Sequence, residues 1–171
     1  HRITAKVITP GGAQDHSSYR SELAGIYSTL TIINHICFFY DIHEGQVEFA
    51  CDGLSALHQV FSNNSTSSDV ADFDLVSAAR KAWTTSPVTW ITRHVAGHKD
   101  KDPTQKLDCW ESLNVEADNL ARDFLDIARN KPRHYSLGLE PWSLWYQGHK
   151  LLHIKQSVYD IVHSSKAREY G

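Results

Sequence analysis

The hydrophobic pattern changes period several times along the chain, and each change predicts an element. Ile-Thr-Ala-Lys-Val-Ile at 3–8 is rich in β-branched residues and predicts a short strand, stopped by Pro10-Gly11-Gly12. Over 17–40 the period lengthens. Leu23, Ile26, Tyr27, Leu30, Ile33 and Cys37 recur at helical spacing, and Ser17 or Ser18 can cap the start. Val47 to Cys51 reads as a strand that ends at Asp52-Gly53, and a short helix follows over 54–61. The run SNNSTSS at 62–68 is composed for turns. Phe73, Val76, Ala79, Ala82 and Trp83 predict an amphipathic helix over 73–84, with Pro87 beyond it. Val88 to Val95 reads as a strand ended by Gly97, and 99–111 as a loop. Leu113, Ala117, Leu120, Ala121, Phe124 and Ala128 then share one face of a helix over 113–129.

The order strand, helix, strand, helix, helix, strand, helix predicts an α/β layered domain. The remainder reads as an extension: a strand at 142–146, a Gln147-Gly148 turn, a second strand at 149–153 and a helix over 154–168. The expected division is therefore a domain over 1–130 and a C-terminal hairpin and helix over 131–171.

Composition narrows this picture modestly. The 171 residues are 41% hydrophobic and 22% charged, as in ordinary globular chains. No apolar run approaches the ~20 residues that cross a bilayer, so no membrane partner is expected. The start HRITAKVITP lacks a secretory leader. Three cysteines, Cys37, Cys51 and Cys109, make an odd set without a CxxC, which points to a reducing compartment, cytoplasm or nucleus. The sequons at Asn63 and Asn64 then read as a polar loop. The net charge of −3 differs from that of a non-specific nucleic-acid binder, yet leaves room for an enzyme with a local basic patch around an acidic pocket. The chain contains no methionine and begins with His1, which suggests a processed product or a fragment.

Candidate chemistry centres on three acids. Glu22 lies in the first turns of the long helix, Asp52 at the carboxyl end of a strand, and Asp118 near the start of a strong helix. Open α/β sheets place sites at the carboxyl ends of strands. Converging carboxylates are costly unless a cation compensates them, and hard oxygen donors favour Mg²⁺ or Mn²⁺. Individually, each acid also has an ordinary place at a helix N-terminus or in a strand-ending turn.

Four segments carry a resemblance. SSYRSELAG at 17–25, VEFACDGLSAL at 47–57, VTWITRHVAGHKD at 88–100 and LNVEADNLARD at 113–123 resemble, in that order, the type 1 ribonuclease H family. They are most similar to the domains carried by reverse-transcriptase mobile elements, over about residues 3–130. The resemblance implies a ribonuclease H-like mixed sheet flanked by helices. It also implies a two-ion Mg²⁺ or Mn²⁺ site that cuts the RNA strand of RNA–DNA hybrids, within a polyprotein that also holds a reverse transcriptase. It assigns metal binding to Glu22, Asp52 and Asp118, and proton transfer or product release to His98. It places Ser18, Tyr19, Gly53 and Asn114 against the hybrid, with Arg20, Lys99 and Lys101 as candidates for phosphate contacts.

One family feature is not matched. The family carries a fourth acid on its first strand, whereas the only acid before Glu22 is Asp15, in a loop. The strand at 3–8 aligns with the family's third strand, so the first two strands and their aspartate are expected to be missing. Weak metal binding, inactivity of this stretch by itself and exposed strand edges are the expected consequences. The 98–118 loop is also longer than in compact relatives and offers Asp102 and Asp108 as further acids.

Three other readings compete. His94 and His98 are four apart, but HVAGH lacks the glutamate of a zinc-protease helix. A non-catalytic ribonuclease H-like module would bind nucleic acid or protein without cutting. The apolar set of the extension (Trp142, Trp145, Leu151, Leu152, Ile154, Val158 and Ile161) would either dock on a neighbouring region of the polyprotein or cover the domain's own core, and the basic and histidine-rich face running from His149 to Arg168 would either track phosphates or be a solvated helix face. A transposase or integrase core shares the general fold, but the ordered motifs favour ribonuclease H.

Overall fold

The computed structural model describes residues 3–11, 15–64, 66–97, 99, 106–128, 137–138, 140 and 142–169. Among the described residues it is a mixed α/β structure with five helices, a small open sheet of two parallel strands and a short hairpin.

Helix α1 spans Ser18–Phe39, and Ser17 caps it by accepting a hydrogen bond from the Arg20 amide at 3.0 Å. Strand β1 (Gln46–Cys51) leads through Asp52-Gly53 into α2 (Leu54–Val60). Helix α3 (Phe73–Thr84) follows the polar loop and leads to β2 (Thr89–His94). The strands pair in parallel, from Gln46 opposite Thr89 to Cys51 opposite His94. Leu23, Ile26 and Leu30 of α1, Ala56, Leu57 and Val60 of α2, and Leu75, Val76 and Ala79 of α3 form one buried core. Phe49 of β1 and Trp90 of β2 pack against that core, so one face of the sheet is covered by α1–α3. Phe61 lies between them and Trp83, with ring centroids 5.5–6.3 Å apart.

Three sequence expectations are corrected. Residues 3–8 form no strand. Their β-branched composition favours extended backbone, but a strand needs a neighbour to satisfy its amides, and these residues have no ladder partner among the described residues. The expected mixed sheet is accordingly a parallel pair. Helix α4 spans Cys109–Ala128 and begins four residues earlier than its apolar face suggests. A capping box starts it there: the Glu111 amide donates to Asp108 Oδ1, and the Asp108 amide donates to Glu111 Oε2, both at 2.8 Å. The apolar face of α4 is also poorly covered. The helix packs against β1 with Leu120 and Phe124 half-buried, yet Leu113, Ala117 and Ala121 of the same face are exposed.

The extension forms the predicted hairpin and helix, with strands shorter than the expected 142–146 and 149–153. Strands β3 (Trp145–Tyr146) and β4 (His149–Lys150) pair antiparallel, and α5 spans Ile154–Glu169. Gln147 and Gly148 both take positive φ, 49° and 80°, as a two-residue hairpin turn requires. Part of the extension's apolar set packs on its own chain. The Trp142 ring lies 6.0 Å from Phe73, and Leu152 is buried.

Beneath it lies a buried ionic cluster. Arg20 is fully buried; its Nη1 donates to Asp72 at 2.8 Å and Asp74 at 2.9 Å, and its Nη2 donates to Asp74 at 2.9 Å. Lys150 Nζ meets Asp74 at 3.0 Å and Glu140 at 2.7 Å. Arg20 is therefore withdrawn from any phosphate, and Lys150 from the basic face expected of the extension. Asp72 adopts a left-handed conformation (φ 54°) and, instead of capping α3, gives its carboxylate to Arg20.

Candidate functional site

Glu22 and Asp52 come together because two elements end at the same place. Glu22 projects from the N-terminal part of α1, one residue before the core residue Leu23. Asp52 follows the last residue of β1 and precedes Gly53, the N-cap of α2. Two glycines make the approach possible. A Cβ at Gly53 would collide with the Glu22 carboxylate, and a Cβ at Gly97 would sit 2.8 Å from Asp52 Oδ2. Gly53 has φ −78°, open to any residue, so the position calls for glycine because of space rather than conformation.

The electrostatics agree with this proximity. Burial raises the Glu22 pKa, and the Asp52 charge raises it further. Burial raises the Tyr19 phenol, with Asp72 and Glu22 adding to it. The Cys51 thiol is pushed up to about 11, by burial first and partly by Asp52 and Glu22, so it stays protonated at neutral pH and is no nucleophile. A compact negative region thus forms at the carboxyl end of β1.

Two crowded carboxylates are hard oxygen donors whose repulsion a divalent cation would relieve, so their chemistry fits Mg²⁺ or Mn²⁺. Among the described residues, no group of three or more His, Cys, Asp or Glu is placed to hold a metal ion. Asp118 is half-buried on α4, outside any such group with Glu22 and Asp52. His98, Lys101 and Asp102 lie outside the described residues. Of the expected substrate contacts, Ser18 is exposed at the start of α1, Tyr19 is half-buried beside Glu22, Gly53 is buried and Asn114 is half-buried on α4. Lys99 is engaged by Glu111.

Two contributors escaped the sequence reading. Gly97 was visible as a strand terminator and as part of a glycine-histidine motif, but not as the residue that faces the Asp52 carboxylate. His94 has its Nε2 3.1 Å from the Asp52 carbonyl oxygen, a partner the sequence did not indicate for a residue read by default as a structural or pH-sensitive histidine. The cross-strand register that brings it there, Cys51 opposite His94, has no local sequence signal.

The class defined by fold and site is an open, parallel-stranded α/β protein with a carboxylate pair at a strand end. In comparisons with known proteins, no family model, curated protein or solved structure matches the chain. Among the described residues, no helix is long and apolar enough to cross a membrane.

The glycine geometry makes a specific prediction. Gly53→Ala is expected to keep the fold, because the methyl would meet the end of a flexible Glu22 side chain and not backbone. It should turn the Glu22 carboxylate away from Asp52 and lower the Glu22 pKa. Carboxyl-carbon NMR titration of Glu22 measures this, and an unchanged pKa would show that the carboxylates are not held by the glycine gap.

Proposed function

We propose that this chain is the ribonuclease H-like part of a reverse-transcriptase-type polyprotein, hydrolysing the RNA strand of RNA–DNA hybrids inside the cell with Mg²⁺ or Mn²⁺. The observation that carries the reading is the convergence of Glu22 and Asp52 at the carboxyl end of β1. The helix, strand, helix, helix, strand, helix order supports it, since the four ribonuclease H-like segments fall on the expected elements.

In this reading Glu22, Asp52 and, from α4, Asp118 are three of the four acids that would hold the cations. Bound there, divalent cations supply charge stabilisation and a water of lowered pKa. Gly53 and Gly97 keep backbone clear of both carboxylates. Ser18, Tyr19, Gly53 and Asn114 position the RNA strand, and His98 handles a proton near the site. Three of the family's four acids bind a cation weakly, so residues 1–171 in isolation are expected to cut slowly or not at all.

The test uses the parent polyprotein and a labelled hybrid with Mn²⁺ or Mg²⁺. Cation-dependent cutting of the RNA strand, lost in Asp52→Asn, is the expected result. Hybrid binding with no cutting, unchanged by Asp52→Asn, would overturn it in favour of a non-catalytic binding module. Rapid cutting by residues 1–171 alone would overturn the expectation of weak activity.

A further inference from the structure

A cavity of about 720 Å³ opens between α2, the polar loop after it and β2. Its ionisable lining residues are His58, His94 and Arg80, and no Asp or Glu lines it among the described residues. A second concavity of about 540 Å³ shares Ser62, Asn64 and Arg80 with it and adds Lys81, again without an acid among the described residues. This is unexpected in a chain with a net charge of −3.

Arg80 lines both. It is half-buried, and its guanidinium bonds only neutral groups: the Val60 and Ser62 carbonyls and the Thr66 hydroxyl. The two fully desolvated cations of the described structure, Arg20 and Lys150, both meet carboxylates. Arg80 has no such partner among the described residues. Among the described residues its guanidinium meets these three neutral oxygens and no carboxylate. The same cavity has an apolar floor of Leu57, Phe61 and Val70. A space of this size, apolar below and carrying a few convergent polar groups, suits a nucleotide-sized ligand.

We propose that this cavity binds a phosphate-bearing nucleotide, with Arg80 and His58 on the phosphate oxygens and Leu57 and Phe61 beneath the base. His94 forms one wall of the cavity, and its ring contacts the Asp52 carbonyl, so the cavity adjoins the carboxylate pair. A nucleic-acid strand running past that pair is therefore the source of the nucleotide. This last assignment rests on the nuclease reading above; the nucleotide site itself does not.

The test is an NMR titration of the full chain without metal, using uridine 5′-monophosphate, uridine, inorganic phosphate and a short oligouridylate. The monophosphate should shift the amides of His58, Asn64, Thr66 and Arg80, and bind at least tenfold more tightly than uridine or phosphate. The oligouridylate should shift the same amides at least as strongly. Arg80→Gln and His58→Glu should each weaken binding at least tenfold. Arg80 also ties down loop carbonyls, so His58→Glu, at an exposed position, is the variant expected to keep the wild-type melting temperature. No shifts at these amides, or wild-type binding by both variants, overturns the site. Equal affinity for phosphate and the monophosphate overturns the nucleotide, and an oligouridylate that does not bind overturns the strand. Asp52→Asn should leave monophosphate binding intact, so loss of the nuclease reading and loss of this site give different results.

Discussion

Arg20→Met is expected to destabilise the protein by about 3–5 kcal/mol, the usual cost of removing one partner from a buried ion pair. Arg20 is fully buried, and its guanidinium holds both Asp72 and Asp74. Methionine fills similar space but leaves Asp72 desolvated without its cation, while Asp74 keeps only Lys150. Urea denaturation at neutral pH measures the loss directly. A change below about 1 kcal/mol, the range of surface pairs, would show that the cluster is wet and not buried.

The pH dependence gives the same prediction a second readout. Burial by itself would raise the Asp74 pKa, but the hydrogen bond and charge of Arg20, followed by Lys150, outweigh it and hold the carboxyl below its ordinary 3.8. A depressed folded pKa stabilises the fold above the unfolded value, and this contribution is lost as pH falls through the folded one. The gap between wild type and Arg20→Met should therefore be widest at neutral pH and close progressively below 3.8. A gap that stays constant through that window would assign the loss to packing.

Asp52→Asn is expected to lower Mn²⁺ affinity by more than about 100-fold, beyond what loss of a partner that merely orients a ligand costs. It should also relax the metal-free protein. Burial raises the Glu22 pKa, with the Asp52 charge adding to it, so Glu22 disfavours the fold as pH rises from its ordinary 4.5 through the raised value. Removing the Asp52 charge weakens that penalty. The variant should melt at a higher temperature than the wild type at neutral pH without metal, and the difference should shrink at pH 4. Isothermal titration with Mn²⁺ and melting curves at both pH values check the two halves. An Asp52→Asn protein that binds Mn²⁺ like the wild type would remove Asp52 from the proposed metal site.

Much of the local structure was legible in the chain. The residues predicted for α3, 73–84, are those that form it, because its apolar spacing and the following Pro87 act within the segment. The Gln147-Gly148 hairpin was readable from its turn residues. The early start of α4 was also readable in principle, since Asp108 and Glu111 stand at capping-box spacing. The strand expected at 3–8 failed for a different reason. β-Propensity describes a residue that fits a pleated surface, and it cannot supply the neighbouring strand.

The site was legible in part. Glu22 and Asp52 were found from the type and position of their residues and from a family resemblance. Arg20, assigned to phosphate, is committed to acids 52 and 54 residues away, and Lys150 reaches across 76 residues to Asp74. Nothing near either cation in the sequence distinguishes it from a solvated one.

By itself the sequence determined where helices run, where the hairpin turns and which acids stand at element ends, because capping, turn geometry and hydrophobic period act over a few residues. The tertiary structure decided which charges are desolvated, that 3–8 forms no strand, and that Gly53 and Gly97 open the space in which Glu22 and Asp52 meet. These outcomes depend on partners distant in the chain. Desolvation, strand pairing and steric clearance are properties of the packed assembly, not of any one segment.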